Sequence, residues 1–384
     1  MKDLGIYFGD FAKFDDEASG GSVYKHLQLN SENNFDNPEP NSVAIIYVSE
    51  YRNSTISESS DLNSIREKFL SLNAGDWKVP VFDLGTILPG NTIEDTYTAL
   101  RDVVTELVKN NVFPIVIGGS QDLTLPMYEA YQSLEQTVNL LDIDPALDMG
   151  DPEEALSAKA WLNKILLHKP NYLFNYSLLG YQSYLVKAEE LDLMNKLYFD
   201  AIRLGDFYND NKIVEPLVRN ADILSFDLDA IRGSDNNGNT RDLPHGLYGE
   251  DACTIMRYAG LSDKLTSLGI FNYNSSVKGK FDSNLIAQMI WYFIEGFNNR
   301  KKDYPIGSKT DYVKYHVSID DFKDQITFYK SDKSGRWWME VPYPKVKGAK
   351  FQRHLLVPCN YEDYKNALTN ELPNLWWKTF EKLA

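Results

Sequence analysis

The sequence predicts an α/β protein in three layers, helices on both faces of a mostly parallel central sheet, and three observations carry that expectation. Short apolar runs rich in Val, Ile, Leu and Phe recur along the first 300 residues; they are apolar at consecutive positions, as strands buried on both faces are; and helical patterns separate them. The strand candidates in order are SVAIIYV at 42–48, FPIVIGG at 113–119, VNLLDID at 138–144, ILSFDLD at 223–229 and LTSLGIF at 265–271. The helix candidates are TIEDTYTALRDVVTELVKN, EEALSAKAWLNKILLHK, YGEDACTIMRYAG and SNLIAQMIWYFIEGF. Gly, Asn, Ser and Asp content marks YRNSTISESSDL at 51–62 and RGSDNNGNTRDLPHG at 232–246 as loops.

The pattern changes after a polar, basic connection at 300–313. KYHVSID, ITFYKS, RWWMEVPYP and HLLVPC read as strands, NYEDYKNALTNEL and LWWKTFEKL as helices, and Ser331 to Gly335 as a turn between two of the strands. The expected organisation is a domain over 1–313 and a C-terminal aromatic and basic extension over 314–384, with a β-hairpin and helices. The net charge of −16 is divided unevenly, residues 1–299 carrying −21 and residues 300–384 carrying +5. An acidic chain is a poor match for nucleic acid, whose binding rests on Lys and Arg. No apolar run approaches the ~20 residues of a membrane helix, and the acidic start MKDLGIYFGDF does not read as a signal peptide, so a cytoplasmic location is expected. Cys253 and Cys359 lie far apart and are expected to be reduced and buried.

Three strands end in polar clusters: GGSQD at 118–122, DIDPALD at 142–148 and DLD at 227–229. Ligands of open parallel sheets sit beyond the carboxyl ends of the strands. Residues two apart on a strand face one side, so Asp142 with Asp144, and Asp227 with Asp229, can aim two carboxylates at one point. With Asp148 they form a candidate cage for a hard divalent cation such as Mg, Mn or Ca. Motifs for a serine or cysteine nucleophile or a phosphate loop are absent.

The order of these clusters resembles the ureohydrolase superfamily of arginase, agmatinase and formimidoylglutamase. There one strand ends in GGDHS or GGGHE, a second in DAHxD and a third carries SxDxD, together holding two manganese ions. The counterparts here are Gly118 to Asp122, Asp144 to Asp148 and Ser225 to Asp229; SDLNSIREKFLSL at 60–72, SLLGYQSYL at 177–185, AIRLGD at 201–206 and PHGLYGEDACTIMRYAG at 244–260 follow in the family's order. The resemblance covers about residues 40–300 and implies an arginase-like fold, with Asp144, Asp148, Asp227 and Asp229 at the carboxylate ligand positions. It also implies what is missing. Gln121 and Ala146 stand where the family has metal-binding histidines, and Asn272, in NYNS, where it has a substrate-binding glutamate. An amide is a poor substitute for imidazole and a methyl is none.

Two functions follow from different classes. The first is a non-catalytic relative that keeps the fold as a binding or scaffolding protein, with no cofactor or one divalent cation. The second is a hydrolase of a linear amidine or guanidine C–N bond with two Mn ions. His245 lies in a stretch that the resemblance places at the rim of the site; His26, His168, His316 and His354 read as surface or packing residues. Trp337, Trp338, Trp376 and Trp377 of the extension either pack it onto the domain or dock a protein partner or a second copy of the chain.

Overall fold

The computed structural model describes all residues except 1, 12–20, 55, 57–59, 276–280, 306–308, 321–324, 343–350 and 384. The loop expected at 51–62, the connection at 300–313 and the lysines at 345, 347 and 350 therefore lie partly or wholly outside the described residues.

The first half of the chain runs β1 (Leu27–Leu29), β2 (Val43–Val48), α1 (Leu62–Ser71), β3 (Val81–Ile87), α2 (Ile93–Lys109), β4 (Phe113–Ile117), α3 (Thr124–Ser133), β5 (Val138–Ile143) and α4 (Leu162–Leu166). It continues with β6 (Leu173–Tyr181), α5 (Ala188–Lys196), β7 (Asp200–Arg203), α6 (Leu204–Asn209), α7 (Val214–Asn220), β8 (Ile223–Asp227), α8 (Gly249–Leu261), β9 (Ser267–Phe271) and α9 (Phe281–Asn298). These nine strands make one sheet in the order β1-β3-β2-β4-β9-β8-β5-β6-β7, every neighbouring pair parallel.

Strand alternation sorts the apolar runs into two cores. In β2, Val43, Ile45 and Tyr47 pack with the helices α1, α7, α8 and α9, while Ala44, Ile46 and Val48 face α2, α3 and α4. Helix α2 starts where Thr92 and Asp95 cap each other's backbone amides, at 3.2 Å and 2.8 Å. One expected helix is mostly absent. Of EEALSAKAWLNKILLHK only Leu162–Leu166 is helical, because the segment folds back on the loop before it. Gly150, at φ +60°, turns the chain, Asn163 Nδ2 donates to the Gly150 carbonyl at 2.7 Å, and the Leu162 amide donates to the Asp148 carbonyl at 3.2 Å.

After α9 come β10 (Tyr312–Val317), β11 (Ile326–Ser331), β12 (Trp337–Glu340), β13 (Leu356–Cys359), α10 (Tyr361–Leu368) and α11 (Asn374–Leu383). The expected hairpin β11–β12 is there, extended on both sides into a four-stranded antiparallel sheet. This region has its own core, in which Phe328, Trp337, Met339, Val357 and Trp376 pack together, and Trp338 is buried beside Tyr329 and Leu356. Trp377 is 42% exposed. The region covers the amino ends of β5 to β9. His354 Nε2 meets Thr137 Oγ1 at 3.0 Å, Arg353 pairs with Asp222 at 2.6 Å, Lys378 pairs with Asp200 at 2.8 Å, and Arg219 donates to the carbonyls of Trp337 and Cys359 at 2.8 and 2.9 Å. Both cysteines are free and buried.

Candidate functional site

Four strands adjacent in the sheet, β4, β9, β8 and β5, end beside one another, and each delivers polar residues to the same place. After β4 the chain bends through Gly118 and Gly119 at φ +90° and +73°. A Cβ at Gly118 would lie 2.6 Å from Leu62, so both the dihedrals and the space call for glycine. The bend turns Gln121 inward, where it is fully buried. After β9, Asn272 takes a left-handed φ of +63°, which Asn tolerates better than most residues. Its backbone amide donates to the Gly119 carbonyl at 2.9 Å, joining the two loops.

Oxygens of Asp144, Asp148 and Asp227 lie within 4.8 Å of one another, all three residues buried. The donor set fits one hard cation, since three carboxylates converge and Asp144 Oδ2 is buried with no hydrogen-bond partner among the described residues. Other oxygens of the cluster already have donors from the protein. Asp144 Oδ1 accepts from the Ala146 amide at 2.7 Å. Asp227 accepts from the Asp229 amide at 2.7 Å and from Asn272 Nδ2 at 3.0 Å. Asp229, the fourth carboxylate, accepts from the Thr240 amide at 2.6 Å and from the Thr240 hydroxyl.

The loop 232–246 sends Arg241 into this cluster. Its Nη2 donates to both oxygens of Asp148, at 2.7 and 3.0 Å, and its Nε lies 3.7 Å from Asp229. The guanidinium side chain is 16% exposed. Burial lifts the carboxyls of Asp142, Asp144 and Asp227 well above the ordinary carboxylate range, with repulsion from neighbouring carboxylates adding to it. Asp148 and Asp229 are also raised by burial, and Arg241 opposes the shift in both.

The remaining expected site residues fall as follows. Asp142 lies on β5 outside the triad, accepting from Gln121 Nε2 at 2.9 Å and from the Tyr176 hydroxyl at 2.7 Å. Gln121 therefore turns its amide nitrogen to Asp142, and its Oε1 has no partner. His245 is exposed, and its backbone carbonyl accepts from Gln182 at 3.0 Å. None of the other four histidines enters the cluster: His26 and His316 are exposed, His168 bonds Gln132 at 2.8 Å, and His354 is at the opposite end of the sheet. Sequence reasoning missed Arg241 and Tyr176. One arginine in a polar loop looks solvated, and only the spacing of Asn236, Asn239 and Thr240, whose side chains tie the loop to Leu228, Asp229 and Ile231, hints that it is held inward.

The model of the arginase family matches residues 54–295, more than half of the chain. The chain belongs to the arginase family. A formimidoylglutamase from Geobacillus sp. (strain WCH70) is 24% identical over 216 residues, which span 52% of this chain and 66% of that relative. Among solved structures, the formimidoylglutamase of Bacillus subtilis superposes with a TM-score of 0.65 at 14% identity, over 75% of this chain and 95% of that one. The formiminoglutamase of Trypanosoma cruzi with Mn2+2 superposes with a TM-score of 0.62 at 17% identity, over 73% and 99%. At such identities these structures establish the shared fold. Among the described residues, no helix is long and apolar enough to cross a membrane.

Proposed function

We propose that this arginase-family protein is non-catalytic and keeps the fold as a binding or scaffolding protein, joined to a protein partner or a second copy of itself through its C-terminal region. The observation that carries this reading is that the protein's own donors sit on the carboxylates: Arg241 on Asp148 and Asn272 on Asp227. Each sets a hydrogen-bond donor on a carboxylate of the cluster, and neither Gln121 nor Ala146 supplies an imidazole. A divalent ion bound in such a site supplies a water of lowered pKa as the nucleophile. Asp144, Asp148 and Asp227 are the residues that would hold it, yet both oxygens of Asp148 are committed to Arg241. The C-terminal region, net basic against an acidic body, gives the docking role its charge contrast.

A second reading rests on the acidic triad and on relatives named formimidoylglutamase: a metal-dependent hydrolase of a linear amidine C–N bond. The two are separated by purifying untagged protein in manganese-supplemented buffer, dialysing it, and measuring metal per chain by elemental analysis beside formamide release from formimino substrates and urea release from guanidino substrates. The expected outcome is no tightly held manganese and no turnover. Close to two ions per chain with turnover would replace the first reading by the second.

A further inference from the structure

We infer that Arg241 is the resident cation of this pocket, and that its guanidinium and a divalent ion exclude each other, so that the carboxylates become a metal site only when Arg241 is removed. The inference rests on the non-catalytic reading and deepens it. Three observations support it. The guanidinium donates to both oxygens of Asp148 and lies 3.7 Å from Asp229, so its positive charge stands where an ion held by Asp148 would have to sit. Its presentation is fixed in advance: Asn239 Nδ2 donates to the carbonyls of Asp229 and Ile231, each at 3.0 Å, the Thr240 amide donates to Asp229 at 2.6 Å, and Asp282 accepts from the amides of Asn237 and Gly238 at 2.8 and 3.0 Å. Finally, the cluster keeps an unsatisfied acceptor, Asp144 Oδ2, on a fully buried residue and within reach of Asp148 and Asp227.

Physical chemistry then sets the competition. An ion among Asp144, Asp148 and Asp227 would stand beside a guanidinium in a buried, weakly screening setting, where like charges repel strongly. Arg241 also holds a permanent charge, so it cannot step aside by losing a proton. With Arg241 gone, four buried carboxylates have no cation of their own, and a hard divalent ion becomes the favourable counter-charge.

The test compares wild type with Arg241→Met, which keeps the length of the side chain and removes its charge. Manganese binding is measured by equilibrium dialysis, and the melting temperature is followed in EDTA and in Mn2+. The variant is expected to melt below wild type in EDTA, to regain stability with Mn2+, and to bind one ion per chain about 100-fold more tightly than wild type, a factor within the usual span of coupling free energies. Wild type is expected to show no shift with Mn2+. Equal binding by both proteins would overturn the exclusion, and so would a folded variant that takes up no ion. If Arg241→Met does not fold in either buffer, the double variant D229N/R241M, which removes one charge of each sign, carries the comparison. Failure of the broader reading is distinct, since it is read from turnover by the wild type, which neither the dialysis nor the melting temperature reports.

Discussion

The two ends of the parallel sheet treat buried aspartate in opposite ways. At the amino end, Asp222 is fully buried and saturated. Arg353 pairs with one oxygen at 2.6 Å, the Asn139 amide donates to the other at 2.8 Å, and Lys264 stands 3.6 Å away. At the carboxyl end, Asp148 pairs with the Arg241 guanidinium, which also lies 3.7 Å from Asp229, and among the described residues one oxygen of Asp144 has no hydrogen-bond partner. An ion network whose members are all paired fixes structure; a crowd of carboxylates with too few cations is the layout of a site. The amino end is thus a joint holding the C-terminal region to the sheet, and the carboxyl end gathers three buried carboxylates within reach of one ion.

The largest effect that this contrast predicts comes from breaking the joint. Asp222→Ala leaves Lys264 and Arg353 without their carboxylate, and Lys264 has a side chain only 1% exposed. Removing one partner of a buried pair costs about 3–5 kcal/mol. Urea unfolding followed by tryptophan fluorescence should show the midpoint fall accordingly. A loss under about 1 kcal/mol, the range of exposed pairs, would mean that the Asp222 ion pairs contribute little to holding the C-terminal region.

A smaller effect at the same joint depends on pH. His354 stacks on Phe174 with ring centres 4.0 Å apart, bonds Thr137, and faces the positive charges of Lys264, Arg353 and Lys382. Burial, reinforced by those charges, holds its pKa well below the ordinary histidine value. Its folded pKa is depressed, so the unfolded chain takes up the proton first. Stability from this group is complete above about pH 6.5 and declines as pH falls below it, by up to about 1.4 kcal/mol per unit. Between pH 7 and pH 5.5, wild type should lose about that much more stability than His354→Gln. Parallel pH profiles for the two proteins would show that His354 is protonated in the folded state and that the joint opens around it.

The sheet was legible where strands are apolar throughout and hidden where they are not. The five expected strands match β2, β4, β5, β8 and β9, the interior of the sheet, where burial on both faces writes a continuous apolar run. Short β1 and β7 lie at its edges, and β3 and β6 interrupt their apolar runs with Asp83, which pairs with Arg66, and with Asn175 and Ser177, which bond each other. The site divides in the same manner. Aspartates at strand ends announce themselves through their spacing, and three of the four expected ligands converge. Asp229 is drawn to Thr240, and Arg241 reaches Asp148 across 93 positions, a contact that no local signal encodes.

The smallest predicted effect probes the other side of the comparison. Asp144→Asn keeps the shape of the side chain and an oxygen to accept from the Ala146 amide, and it removes a charge that burial, Asp148 and Asp142 all oppose. Because no cation among the described residues pairs with Asp144 directly, stability should remain within about 1 kcal/mol of wild type, the scale of a single hydrogen bond. The same unfolding experiment used for Asp222→Ala gives the measurement, and the ratio of the two losses is the informative quantity. A loss from Asp144→Asn as large as that from Asp222→Ala would require that a positive charge be held against the ionised Asp144 in solution. Arg241 is committed to Asp148 and Asp229, so that charge would have to be a bound ion. The carboxyl end would then be as fully paired as the amino end, and the non-catalytic reading would lose its footing.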